Sequence, residues 1–245
     1  MNKFNTSTIL FKNLSQALSK RTFSTNIPKD VENRVYELRT YSISLENFAN
    51  FISLTQEHMH MRAKHSKLCG YWMSELGGIN EVVHLWEYSS LDHRAQVRSN
   101  LRFDKDWNEK YMAKMKPMVL KQENIVLKEF PWGKLSLPEN LDSKKVWELR
   151  TYQIKAGQVP KWEDLISNGI EARKQYSSPS GLFYSEIGKL NTVVSLWSYD
   201  NFEDRTKARR AALADPKWSG AVQSSYEITE KQENKTLIPV IFPTK

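Results

Sequence analysis

Apolar and polar residues alternate through Val35–Ile43, where β-branched and aromatic types are common, and this predicts a strand. The period then changes. Leu45, Phe48, Ile52, Met59 and Ala63 mark one face of a helix over Leu45–Lys67, a stretch without glycine or proline. Cys69–Glu75 predicts a second strand, ended by Gly77-Gly78, and Glu81–Tyr88 alternates as a third. Leu91–Met118 carries Trp107, Tyr111, Met115 and Met118 at helical spacing, Pro117 ends it, and Glu123–Phe130 supplies a fourth strand. The order is βαββαβ.

The pattern is then written a second time. Val35-Tyr36-Glu37-Leu38-Arg39-Thr40-Tyr41 returns as Val146-Trp147-Glu148-Leu149-Arg150-Thr151-Tyr152, and Gly70, Trp86, Arg94 and Trp107 return as Gly181, Trp197, Arg205 and Trp218 at the same offset. The period is too long for a solenoid unit, about 20 to 50 residues, and suits a small domain. The fold class expected is α+β: two tandem ferredoxin-like modules over 31–130 and 145–243, joined by a turn-rich linker at 131–144. Helices cover one face of each sheet, so the two sheets are expected to pack on each other as an intrachain α/β barrel.

Parity assigns the faces. Tyr36, Leu38, Val83 and Leu85 are uniformly apolar and suit the helix-covered face. Glu37, Arg39, Tyr41, His84, Trp86 and Tyr88, with Glu148, Arg150, Tyr152, Ser195, Trp197 and Tyr199 of the second copy, are then expected to line an inter-sheet cavity. In that cavity the two Glu-x-Arg pairs are expected to satisfy each other as ion pairs, while an arginine beside aromatic walls also suits a carboxylate ligand. His84 breaks the repeat, because Ser195 occupies its place in the second copy, and it is the weak candidate for a general base; no other catalytic residue is assigned. His58, Arg62 and His65 share a helix face, but an arginine among them repels a cation, so the face is expected to be solvated and no metal site is assigned. No HExxH, GxSxG, Walker or strand-borne GxGxxG sequence occurs, and no cofactor is assigned.

Charge and composition narrow the rest. Of the net charge of +8, Lys3, Lys12, Lys20 and Arg21 fall in residues 1–28, which contain no acid. The remainder carries no basic stripe of the kind a phosphate backbone requires, so nucleic-acid binding is not expected. Lone Cys69 offers neither an internal disulfide nor a zinc spacing, and reads as a small buried apolar residue in a reducing compartment. No apolar run reaches the ~20 residues needed to span a bilayer. The acid-free, hydroxyl-rich segment 1–28, with Phe11, Leu14 and Leu18 on one helical face and Arg21-Thr22-Phe23 as a cleavage site, predicts mitochondrial import, to the matrix or a membrane-associated position; the alternative is a cytosolic protein with a basic tail.

The strand V-[YW]-E-L-R-T-Y, the segment G-Y-W-M-S-E-L-G-G at Gly70–Gly78, V-V-H-L-W-E-Y at Val82–Tyr88 and the Arg94 and Arg205 helix starts resemble the NIPSNAP family of the dimeric α/β-barrel superfamily. The likeness runs from Arg34 to the C-terminus, and a transit-like leader before two such domains is similar to the family's third-homolog branch. It implies a non-enzymatic mitochondrial protein in vesicular transport and mitophagy signalling, with autophagy or trafficking adaptors as partners; homo-oligomers and peripheral membrane attachment stay open. Related barrels include cofactor-free oxygenases, which gives the alternative of a small-molecule-binding or oxygenase-like enzyme using the inter-sheet cavity.

Overall fold

The computed structural model describes residues 33–138 and 141–243; the expected import segment lies outside them. Module 1 runs β1 (Val35–Ile43), α1 (Phe48–Ala63), β2 (Lys67–Leu76), β3 (Glu81–Tyr88), α2 (Leu91–Phe103), α3 (105–115) and β4 (Val119–Glu129). Module 2 repeats it as β5 (Val146–Ile154), α4 (Val159–Lys174), β6 (Pro179–Ile187), β7 (Thr192–Tyr199), α5 (Phe202–Ala214), α6 (Pro216–Tyr226) and β8 (Thr229–Pro239). The second helix of each repeat, expected as one, is two. Asp104 and Asp215 sit in extended backbone at the breaks, and each carboxylate caps the helix that follows, accepting from Trp107 N at 2.9 Å and Lys217 N at 2.9 Å.

The eight strands close into one antiparallel barrel in the order β1-β3-β2-β8-β5-β7-β6-β4. Closure comes from two seams between modules: β2 pairs with β8, placing Trp72 opposite Pro239, and β4 pairs with β6, placing Leu127 opposite Ser185. Each module thereby covers the sheet edges that the other would leave open to aggregation. The last strand of each also runs on into its neighbour. Phe130 stacks on Trp162 of α4, with Trp132 stacked on Phe130 and donating to Glu163 of α4 at 3.1 Å, and Val240 and Phe242 reach Tyr71 of β2, with Val240 N donating to Tyr71 O at 2.9 Å.

The expected face assignment is reversed. Tyr36, Leu38, Val83 and Leu85 point into the barrel, where they meet Trp147, Leu149, Phe183, Val194, Leu196 and Leu237 of module 2. Trp72 and Trp147 lie 5.5 Å apart there, Tyr36 meets Phe183 edge-on at 5.2 Å, and the void left measures about 10 Å³. An eight-stranded barrel is just wide enough to be filled by its own side chains, so among the described residues the expected inter-sheet cavity shrinks to that small apolar void. The mixed set beginning with Glu37 faces the helices. Both faces are buried, so alternation alone left their order undetermined; charge decides it, because only the helix side supplies arginines to pair a buried carboxylate.

One irregularity separates the copies. Trp107 and Trp218 are 111 positions apart, but Lys121-Gln122-Glu123-Asn124 returns as Lys231-Gln232-Glu233-Asn234 at 110, so module 1 holds one extra residue between them. The structure absorbs it as a π turn at Asn108–Met112 within α3, whereas α6 is regular.

Candidate functional site

β1 carries Glu37 under α2, fully buried at 0% exposure. Arg94 grips it as a fork, Nη2 donating to Oε1 at 2.7 Å and Nε to Oε2 at 3.1 Å; Asn124 Nδ2 donates to Oε1 at 2.7 Å and the Tyr88 hydroxyl to Oε2 at 3.2 Å. Burial by itself would push this carboxyl up, but the Arg94 bonds, the Arg39 charge and Asn124 outweigh it and hold its pKa at about 2. The expected Glu-x-Arg pair forms as the weaker part of this set, Arg39 Nη1 lying 3.4 Å from Oε1.

A second arginine layer comes from α1. Arg62 donates to Ser66 Oγ at 2.7 Å and to the Tyr88 hydroxyl at 2.6 Å, and its guanidinium lies 4.0 Å above the Trp86 ring. The face carrying it was expected to be solvated. Arg62 and His58 are instead buried, because α1 lays that face on the sheet and β3 supplies an aromatic ring and a hydroxyl to receive the guanidinium.

Trp86 donates its indole N–H to His84 Nδ1 at 2.6 Å. An indole nitrogen only donates, so Nδ1 accepts. Burial first, then the charges of Arg39 and Arg62, hold the His84 pKa well below its ordinary value, so the ring is neutral and its proton sits on Nε2. That buried N–H meets no acceptor in the protein. Tyr71 stacks on the imidazole at 4.8 Å and Tyr41 meets its edge at 4.9 Å.

Between this sheet face and α2–α3 lies a cavity of about 210 Å³. Arg39, Tyr41, His84 and Trp86 line it from the sheet, and Trp107, Asn108, Tyr111 and Met112 from α3, so the π turn forms part of its wall. Arg98 and Arg102 of α2 stand at its mouth. Glu37 and Tyr88 belong to the adjoining network and do not line it.

Module 2 builds the same framework and finishes it differently. Glu148 accepts on Oε1 from Arg205 at 2.7 Å, Arg209 at 2.8 Å and Asn234 at 3.0 Å, with Arg150 at 3.6 Å. Arg173 reaches the Tyr199 hydroxyl at 3.1 Å and covers Trp197 at 4.3 Å. Ser195 takes the Trp197 N–H at 3.0 Å, as His84 takes that of Trp86, but leaves no spare ring nitrogen. The cavity here is about 110 Å³, lined by Glu148, Arg150, Tyr152, Ser195, Trp197 and Tyr199 among others. The twelve sequence candidates therefore gather in two separate places, one per module.

Sequence reasoning placed Arg62 on a solvated face and missed Arg98, Asn124 and Gln122 with the counterparts Arg173, Arg209, Asn234 and Gln232. The signal was present as polar residues repeated at 111 or 110 positions. Cys69 is buried as expected, and burial pushes its thiol up to about 12, away from nucleophilic use. Among the described residues no group of three or more His, Cys, Asp or Glu side chains is placed to hold a metal ion, and no helix is long and apolar enough to cross a membrane.

The NIPSNAP family model matches residues 36–134 and again 147–243, one match per module. The chain belongs to the NIPSNAP family. It is 40% identical over 232 residues to a NipSnap homolog of Dictyostelium discoideum, covering 94% of this chain and 98% of that protein, and 32% identical over 244 residues to human NipSnap homolog 3A, covering 96% and 98%. Among solved structures, that of an anthrone oxidase-like protein shares the fold with a TM-score of 0.63 over 86% of this chain and 92% of that one, at 8% identity. The Glu–Arg–Asn framework of this NIPSNAP protein is thus built twice; the module-1 cavity leaves His84 Nε2 and Arg39 Nε without partners, and the module-2 cavity leaves the indole N–H of Trp162.

Proposed function

We propose that this NIPSNAP protein acts by binding, with an interior site for a small molecule in module 1. The observation that carries the reading is the cavity of about 210 Å³ beside a buried His84 Nε2–H without a protein acceptor. A buried donor left unmet is costly, and because His84 lines the cavity a small shift of its ring on ligand entry would bring this N–H to a ligand oxygen. The same geometry argues against a general base. The Nδ1 lone pair is taken by Trp86 and Nε2 carries the proton, so His84 has no free lone pair to accept another. Native mass spectrometry of the protein from its own cells tests the reading: a small-molecule mass excess that disappears on denaturation supports it, and an unliganded mass throughout contradicts it.

A second reading places the outer surface in vesicular transport and mitophagy signalling through adaptor proteins, in mitochondria, as the family resemblance implies. One end of module 1 favours it. Ile43 N bonds Asn80 O at 2.8 Å and Ser44 N bonds Met118 O at 2.9 Å, drawing three chain segments together, and beside them Leu45, Ile79 and Leu120 are 77, 78 and 71% exposed. The equivalent positions of module 2 hold Ala156, Leu190 and Glu230, a less apolar set. Binding of purified autophagy adaptors should fall in the triple Leu45→Ser, Ile79→Ser, Leu120→Ser variant; unchanged binding would exclude this surface. Residues 1–23 fused to a reporter should enter mitochondria and be removed, and a fusion that stays cytosolic would contradict the address.

A further inference from the structure

We propose that the ligand class of the module-1 cavity is a small organic anion, a flat apolar or aromatic body bearing a carboxylate, and that module 2 does not share the site. The proposal rests on the interior-site reading above and adds the charge, the shape and the restriction to one module.

The charge follows from what the cavity has left unspent. Arg39 Nε, like His84 Nε2, is buried without a hydrogen-bond partner, and Arg39 Nη2 has only a long contact of 3.4 Å to Gln122. Arg98 and Arg102, one helical turn apart at the mouth, make no side-chain hydrogen bond or ion pair among the described residues. No carboxylate lines the cavity, and nearby Glu37 is committed to Arg94, Asn124 and Arg39. The charged groups that line the cavity are therefore all cationic, Arg39 only partly engaged by Glu37 and Arg98 and Arg102 unengaged, beside the neutral Tyr41 hydroxyl and Asn108 amide. An acceptor with a negative charge completes the set, in the forked manner that guanidinium favours.

The shape follows from the walls. Trp107 stacks on Tyr111 with ring centres 4.4 Å apart, and Trp86, Met59, Met112 and Met115 line the cavity with them. Aromatic faces and adaptable thioethers suit a flat apolar body.

Module 2 has spent the corresponding donors. Arg209, the counterpart of Arg98, is turned onto Glu148; Arg150 Nε donates to the Tyr152 hydroxyl at 2.6 Å; Leu213 stands where Arg102 does; Ser195 serves Trp197. Its smaller cavity is lined by Glu148, whose Oε2 accepts from no donor, and that oxygen repels a carboxylate.

Isothermal titration of the full chain with 2-naphthoate, beside neutral 2-naphthamide, separates the parts of the proposal. We expect one naphthoate per chain, bound about tenfold or more tightly than the amide, as a lost charged hydrogen bond would give. The Arg98→Gln/Arg102→Gln variant should lose that advantage with amide affinity unchanged, while Lys114→Gln/Lys116→Gln, which removes two exposed charges outside the cavity, should keep it. Equal affinity for acid and amide, or indifference to the arginine pair, overturns the anion assignment and leaves the interior site standing. Two molecules per chain overturn the restriction to module 1. Binding of neither probe overturns the interior site itself, and the ligand class with it.

Discussion

Arg94 and Glu37 lie 57 residues apart and meet in a two-pronged bond of 2.7 and 3.1 Å that fastens α2 to β1. Removing the arginine strands a buried carboxylate, which typically costs about 3–5 kcal/mol. We expect Arg94→Ala to lower unfolding stability by that amount in urea titration, and the double variant Arg94→Leu/Glu37→Leu to lose less than Arg94→Ala alone, since it removes the buried carboxylate along with its main partner and leaves only the looser Arg39 contact unmet. The pH dependence has a definite sign. The folded pKa of Glu37 is about 2 against 4.5 for the free group, so its stabilisation is complete above about 4.5 and drains away as pH falls towards 2. Stability curves of wild type and Glu37→Gln should converge across that window; parallel curves would contradict the pairing.

The two ways of satisfying a tryptophan N–H give a second expectation. Ser195 does for Trp197 what His84 does for Trp86, so His84→Ser should preserve the acceptor, whereas His84→Ala should strand the indole donor and cost about 1–3 kcal/mol. Thermal denaturation should therefore rank wild type and His84→Ser above His84→Ala. Both variants lose the Nε2 donor, so both should weaken binding of the naphthoate probe; full affinity in either would remove His84 from the site.

How far these features were legible before the structure differs by kind. The βαββαβ order and the duplication were readable because strand and helix periods differ and Val35–Tyr41 and Val146–Tyr152 match position by position. The facing of Leu38 against Arg39 was not, since a two-residue period gives two faces without saying which is inward when both are buried. The helix break at Asp104 was hidden, because the aspartate acts as a cap only once its backbone turns extended and the flanking apolar spacing runs through it undisturbed; the break at Asp215 was signalled by Pro216, a first-turn proline behind an aspartate cap. The π turn was signalled by the repeat slipping from 111 to 110, a shift that a reading centred on Trp107 and Trp218 passes over.

That slip can be reversed. Deleting Lys110, an exposed residue inside the π turn, restores the register of module 2, and α3 should close into an ordinary helix. We expect far-ultraviolet circular dichroism and the unfolding midpoint to stay close to wild type while naphthoate affinity falls. A deletion that binds as tightly as the parent would separate the π turn from the site.

Because each module lends its last strand and its Phe130 or Val240 arm to the other, neither has a complete fold alone. A fragment of residues 33–138 should recover a closed barrel only by pairing with a second copy. Sedimentation equilibrium should report a dimer, and a well-folded monomer would contradict the account of the seams.

The central claim is that ligand binds beneath the helices of module 1 and nowhere else in the barrel. A crystal structure of the full chain grown with 2-naphthoate tests it most directly. The account predicts one naphthoate against Trp86 and Trp107, its carboxylate among Arg39, Arg98 and Arg102, with the module-2 cavity and the barrel interior free of it. Naphthoate beside Glu148, or between Trp72 and Trp147 inside the barrel, would contradict it.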